Sequence, residues 1–146
     1  MEREALERLF ESAGLNIVFN PNGVCMLSVE NRFDVSLEYD DVGPRLHVCS
    51  GVYPVPNDPE KQAEIFKILL EANAFGRGTG KGYFALDGVN DEILLVGSMD
   101  LNGFTVDQFL QVLEEYTDVL RYWTTKLASG IEPMDTLRLS LAEAVP

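Results

Sequence analysis

Apolar and polar positions alternate along this chain in two rhythms, and the switches between them mark its elements. Residues 2 to 13 place Leu6, Leu9, Phe10 and Ala13 on one face with glutamates and arginines opposite, the spacing of an amphipathic helix. Gly14 follows, where a left-handed cap is cheapest. An extended piece leads into Asn20, Pro21, Asn22 and Gly23, a strong turn signal. The period then falls to two. Val24 to Glu30 reads as a strand and Asn31 as a bend. Phe33, Val35, Leu37 and Tyr39 alternate with Asp34, Ser36 and Glu38 as a half-buried strand. "DDVGP" turns the chain, and Leu46, Val48 and Ser50 alternate with His47 and Cys49 in a third strand. Connections this short predict an antiparallel meander.

The second half repeats the change of rhythm. Asp58 suits a helix cap and Pro59 the first helical position, where a missing N–H costs nothing. Ile65, Phe66, Ile68, Leu69, Leu70, Ala72 and Phe75 then cover far more than one stripe. A helix that apolar needs burial on two sides. The sheet supplies one; a second subunit is the natural candidate for the other. "GYFAL", "DGVND" and "EILLVGS" predict a hairpin, with Tyr83 and Ala85 on one face of its first strand and Phe84 and Leu86 on the other. Apolar groups on both faces suggest an interior or interface strand. Thr105 caps a last helix running to Ala128, with Phe109, Val112, Leu113, Tyr116, Val119, Leu120 and Trp123 as its core stripe. The expected fold is α+β and a single domain: helix, three strands, helix, two strands, helix, with a twisted antiparallel sheet flanked by helices. Residues 1–129 form the domain, and 130–146, with Leu137, Leu139 and Leu141 spaced by two, are read as a flexible tail.

Charge narrows the function. The 146 residues carry 24 acidic against 11 basic side chains, a formal charge of −13. Nucleic-acid affinity comes largely from neutralising phosphates, so such a chain is a poor nucleic-acid binder, and an anionic membrane repels it. No apolar run approaches a membrane span, and the charged amphipathic start is unlike a secretory signal. Cys25 and Cys49 stand apart, and with His47 as the only histidine there is no zinc ligand set. A reducing cytoplasmic setting is expected.

The stretch "AFGRGTGKGYFALD", residues 74 to 87, tests the case for nucleotide chemistry. A phosphate loop runs from strand to helix, with four residues between its first glycine and Gly-Lys and then Ser or Thr. Here Gly76 and Gly80 have three residues between them, Gly82 follows Lys81, and the order is helix to strand. Its amides would not converge at a helix N-terminus, so it reads as a helix cap and turn. His47 lacks a nucleophile, and the acids at 40, 41, 87, 91 and 92 sit in turns without calcium-loop spacing. No catalytic, cofactor-binding or metal residue stands out. The expectation is a binding protein, not an enzyme.

"LLEANAFGRGTGKGYFALDGVNDEILLVGSMDL", followed by "LEEYTDVLRYWTTKL", resembles the class I type III secretion chaperones, the Tir chaperone family; "GLNIVFNPNGVCMLSVENRFDVSLEYD" is similar to that family's first strands. The likeness spans about residues 4 to 127. It implies a homodimer in the bacterial cytoplasm that holds the extended N-terminal segment of secreted effectors and presents it to the export apparatus, without cofactor or nucleotide. It also implies a dimer interface at Ile65, Leu69, Leu70, Asn73, Phe75, Tyr83 and Phe84. Effector contacts would fall at Leu6, Leu9, Phe10, Ile17, Phe19 and Leu27. A large surface suits such a guest, which loses chain entropy on binding. The alternative is a regulatory or adaptor domain of the same fold that binds a folded partner. An enzyme built on His47 and turn acids is the remotest reading.

Overall fold

A computed structural model describes residues 1–130. The tail predicted over 130–146 therefore lies, apart from Gly130, outside the described residues. Helix α1 (Arg3–Ser12) precedes strands β1 (Val24–Val29), β2 (Phe33–Asp40) and β3 (Arg45–Pro54). Helix α2 (Pro59–Asn73) passes through a short 3-10 turn (Ala74–Gly76) into β4 (Tyr83–Asp87), β5 (Glu92–Asp100) and helix α3 (Val106–Ser129). The predicted element order holds. β3 runs further than the expected 46–50, because Val52 still packs into the core at an irregularity between Gly51 and Tyr53.

The five strands pair antiparallel in the order β1-β2-β3-β5-β4. β4, expected inside the sheet or at an interface, is thus an edge strand of the chain's own sheet. Phe84 is buried against Trp123 on one face, whereas Tyr83 on the other face is exposed.

Helix ends follow local chemistry. At the end of α1, Gly14 takes φ +80 and the amides of Gly14 and Leu15 donate to the carbonyls of Glu11 and Phe10. The Asp58 carboxylate accepts from the Glu60 amide at the start of α2, and Thr105 Oγ1 accepts from the Gln108 amide at the start of α3.

The core lies between one sheet face and the helices. Val35, Leu37, Leu46, Val48, Ile93 and Leu95 come from the strands. Phe10 stacks edge-on against Phe109 at 4.9 Å and Phe104 at 6.0 Å, which fastens α1 to the start of α3. Gly97 leaves room for the Tyr116 ring, which a Cβ there would meet at 3.4 Å. The Tyr116 hydroxyl donates to the Leu95 carbonyl at 2.7 Å. Further along α3, fully buried Trp123 stacks on Phe84 and donates its indole N–H to the Gly78 carbonyl at 2.6 Å, tying the glycine turn to the helix. Cys25 packs against the core, whereas Cys49, one residue from core-facing Val48, points to the other face of the sheet; both are free thiols.

Candidate interaction surfaces

The glycine stretch uses its own amides. Gly78 donates to Ala72, Gly80 to Gly76 and Gly82 to Thr79, so the segment is a helix end and a turn, with these N–H groups unavailable to an anion. His47 Nε2 lies 3.3 Å from Asp40 Oδ2, and that hydrogen bond holds the Asp40 carboxyl below the usual carboxylate range. No group of metal-binding side chains and no helix long and apolar enough to cross a membrane occurs among the described residues. What the fold offers is surface.

The first surface lies along α2 and β4. A shallow groove of about 230 Å³ runs between them, with Phe66, Leu70, Ala85 and Leu86 along it. Leu70 is 69 % exposed and Leu86 58 %. Phe75 is 96 % exposed and holds φ +56, a left-handed conformation that strains a bulky residue. The backbone therefore pays to hold an aromatic ring in water, a combination that clusters at functional sites.

The seven residues expected at a dimer contact divide here. Leu70, Phe75 and Tyr83 are exposed and Ile65 is partly so. Leu69 and Phe84 are buried within the chain's own core, where α2 meets the sheet. Asn73 is engaged inside the chain: its side-chain amide accepts from the Phe84 N–H at 2.7 Å and donates to the Phe84 carbonyl at 3.1 Å. It occupies the place of a neighbouring strand and closes that part of the β4 edge.

The opposite edge of the sheet is open. Gly23 O accepts from Tyr39 N, so Gly23 and every second residue after it face β2. Val24, Met26 and Ser28 face outward. Val24 is paired with Asn20, whose N–H donates to Val24 O and whose Oδ1 accepts from Val24 N. Met26 and Ser28 have no outward main-chain partner among the described residues. Met26 is 63 % exposed, and Val18, two residues before the Asn20 turn, is 62 % exposed.

Four residues expected to touch a guest lie elsewhere. Leu6 and Phe10 are fully buried, and Ile17 and Phe19 nearly so. The stripe of α1 is consumed by Phe104 and Phe109, and Phe19 packs near Tyr39 while its N–H donates to the Glu7 carboxylate. These side chains are core within the single chain. Leu9 and Leu27 stay partly exposed at the rim of the core. The openness at Met26 and Ser28 has no signature in the sequence, because it is main-chain and no residue type signals a free N–H.

The model of the Tir chaperone protein (CesT) family matches residues 4–124. No curated protein matches the chain in sequence. Among solved structures, a chain of the ExsC-ExsE complex is similar at TM-score 0.70 and 20% identity, covering 86% of this chain and 95% of that one. A chain of the HopA1-SchA chaperone-effector complex is similar at TM-score 0.66 and 18% identity, covering 82% and 90%. A chain of the heterodimeric ExoU-SpcU complex, from the type III secretion system of Pseudomonas aeruginosa, reaches TM-score 0.62 at 19% identity, covering 88% and 98%.

Proposed function

The chain belongs to the Tir chaperone protein (CesT) family, and on that premise we propose that it is a type III secretion chaperone: a paired, non-catalytic carrier in the bacterial cytoplasm that keeps the extended N-terminal segment of secreted effectors fit for export. It needs no nucleotide or metal for this task. The domain spans residues 1–129.

The observation that carries the reading is the asymmetry of the sheet edges. β4 is capped by Asn73 at Phe84, leaving only Leu86 on that edge, while β1 leaves both Met26 and Ser28 without an outward main-chain partner among the described residues. A guest strand added to β1 gains hydrogen bonds that ignore its side chains, and the exposed Val18 and Met26 give its apolar residues a place to pack. Leu9 and Leu27 border that contact; Leu6, Phe10, Ile17 and Phe19 support it from inside. The formal charge of −13 steers basic segments toward the surface, an effect that weakens with salt.

A second copy covers the other surface. Leu70, Phe75 and Leu86 form an apolar surface beside the part of the edge that Asn73 caps, Tyr83 lies exposed on the other face of β4, and a symmetric contact uses the same patch on both partners. Asn73, Leu69 and Phe84 shape this face from beneath.

The test is affinity capture of exported polypeptides from a bacterium that carries the secretion apparatus, followed by proteolysis of the bound chains. A short protected N-terminal segment is expected. Met26→Pro, which removes the outward N–H and is tolerated on an edge, should release it. Capture of a folded partner without a protected segment would instead favour the adaptor reading.

A further inference from the structure

A third surface lies on neither the β1 edge nor the α2 face. β5 pairs with β3 as far as Asp100, but with β4 only as far as Val96. Beyond that point the chain of β4 has already left through the turn at Gly80 and Gly82. A Cβ built on Gly82 would meet Val96 O at 2.7 Å, so the Val96 carbonyl faces the β4 side. By alternation the N–H and C=O of Ser98 and Asp100 face the same way. The Leu101 N–H, which donates to Pro44 O beside β3, fits that parity. Neither Ser98 nor Asp100 has a main-chain partner on this side among the described residues.

This bare stretch borders a cleft against α3. Two cavities of about 440 and 250 Å³ adjoin there and share Lys81, Ser98, Val112 and Glu115. The smaller runs inward over Gly97 to Val48, Tyr116 and Thr79. It falls below the usual size of a small-molecule site but can receive a side chain. Thr79 is 3% exposed, and its hydroxyl has no hydrogen-bond partner. A buried hydroxyl without a partner is destabilising, and an arriving polar group would relieve it. Asp100 and Glu115 line the cleft with Lys81, while Arg45 is engaged on the other face of the sheet, donating to Ser98 Oγ at 2.9 Å, and the chain as a whole carries a net charge of −13. The complement is basic.

We propose that this cleft is a second peptide-binding site, which takes a short, extended, basic segment as an added strand on Ser98 and Asp100 and admits one side chain beside Met99. Met99 faces the helices, so the guest residue opposite it projects into the cleft. That side chain is apolar along its shaft and polar at its tip, where it reaches the Thr79 hydroxyl. Its neighbours on the guest strand point to the other face and stay in water. The site goes beyond the chaperone reading, since it uses neither β1 nor the paired surface.

The probe is the peptide acetyl-Lys-Val-Gln-Val-Lys-amide, titrated into the isotope-labelled full chain and followed by amide chemical shifts. Saturable shifts at Thr79, Ser98, Asp100 and Val112 are expected. Ser98→Pro removes the outward N–H without touching the β3 ladder and should weaken binding by about fivefold, the worth of one net hydrogen bond. Ser98→Ala keeps the N–H and gives up only the Arg45 bond to the hydroxyl on the other face of the sheet, so it should retain most of the binding. Should Ser98→Pro fail to fold, Val112→Phe, which fills the cleft from α3, takes its place. Shifts confined to Met26 and Ser28 would overturn this site while leaving the β1 reading intact. Equal loss with Ser98→Ala, or no saturable shift near Ser98, would overturn it as well.

Discussion

Asn73 grips Phe84 through both ends of its side-chain amide, accepting from the N–H at 2.7 Å and donating to the carbonyl at 3.1 Å. A side chain at the end of α2 thereby substitutes for a sixth strand. It couples the helix to the edge it shields.

Asn73→Ala should therefore act twice. Loss of two hydrogen bonds in a partly buried setting costs about 1–3 kcal/mol, read as a lower midpoint in urea at unchanged slope. The bared Phe84 edge should also raise light scattering on storage. Asn73→Asp keeps the acceptor but sets a carboxylate oxygen against the Phe84 carbonyl, so it should be no better than alanine.

Leu69 and Leu70 are neighbours with opposite fates. Leu70→Asp places a charge on an exposed position and should leave the far-UV circular dichroism unchanged. In the paired state that charge is desolvated, so light scattering should report the mass of one chain, 16.3 kDa. Leu69→Asp buries the charge in the chain's own core and should abolish folding at any concentration.

Phe75 separates strain from association. Glycine relieves the left-handed conformation, a gain of roughly 1 kcal/mol. In the single-chain background of Leu70→Asp, Phe75→Gly should raise the melting temperature. In the wild-type background it should weaken pairing, because the most exposed ring of the apolar face is gone. Opposite signs in the two backgrounds are the expected result.

Tyr116 sets an alkaline limit. Burial pushes its hydroxyl pKa well above the ordinary tyrosine value. The folded pKa exceeds the unfolded one, so the stability this group contributes is complete below about pH 10 and is lost as pH rises toward the folded value. Ultraviolet titration should show one tyrosine that ionises only as the chain unfolds. Tyr116→Phe should remove that step and cost about 1 kcal/mol at neutral pH through the lost bond to Leu95.

The element order was readable because each element declares its own boundary. Gly14 closes α1, Asp58 and Pro59 open α2, and the strands alternate. Partners of a face are another matter. The stripe of Leu6 and Phe10 says that a surface is hidden, and not whether a guest or Phe109 hides it. The breadth of α2 implied two contacts, yet nothing local divides Leu69, turned inward, from Leu70, turned outward. Asn73 has a polar side chain whose partner lies eleven residues on, across a turn. Met26 and Ser98 matter through main-chain groups that every residue carries. Their availability depends on where neighbouring strands stop.

The strand order carries a consequence for synthesis. β3 ends at Pro54 and β5 begins at Glu92, with α2 and β4 between them. While the chain emerges from the ribosome, the first meander can form early, but its β3 side stays bare until β5 arrives. Closing that gap is a long-range step, of the kind that slows folding. A nascent chain stalled before Glu92 presents the middle of the future sheet as an adhesive border, and that interval is when the carrier itself is most in need of protection.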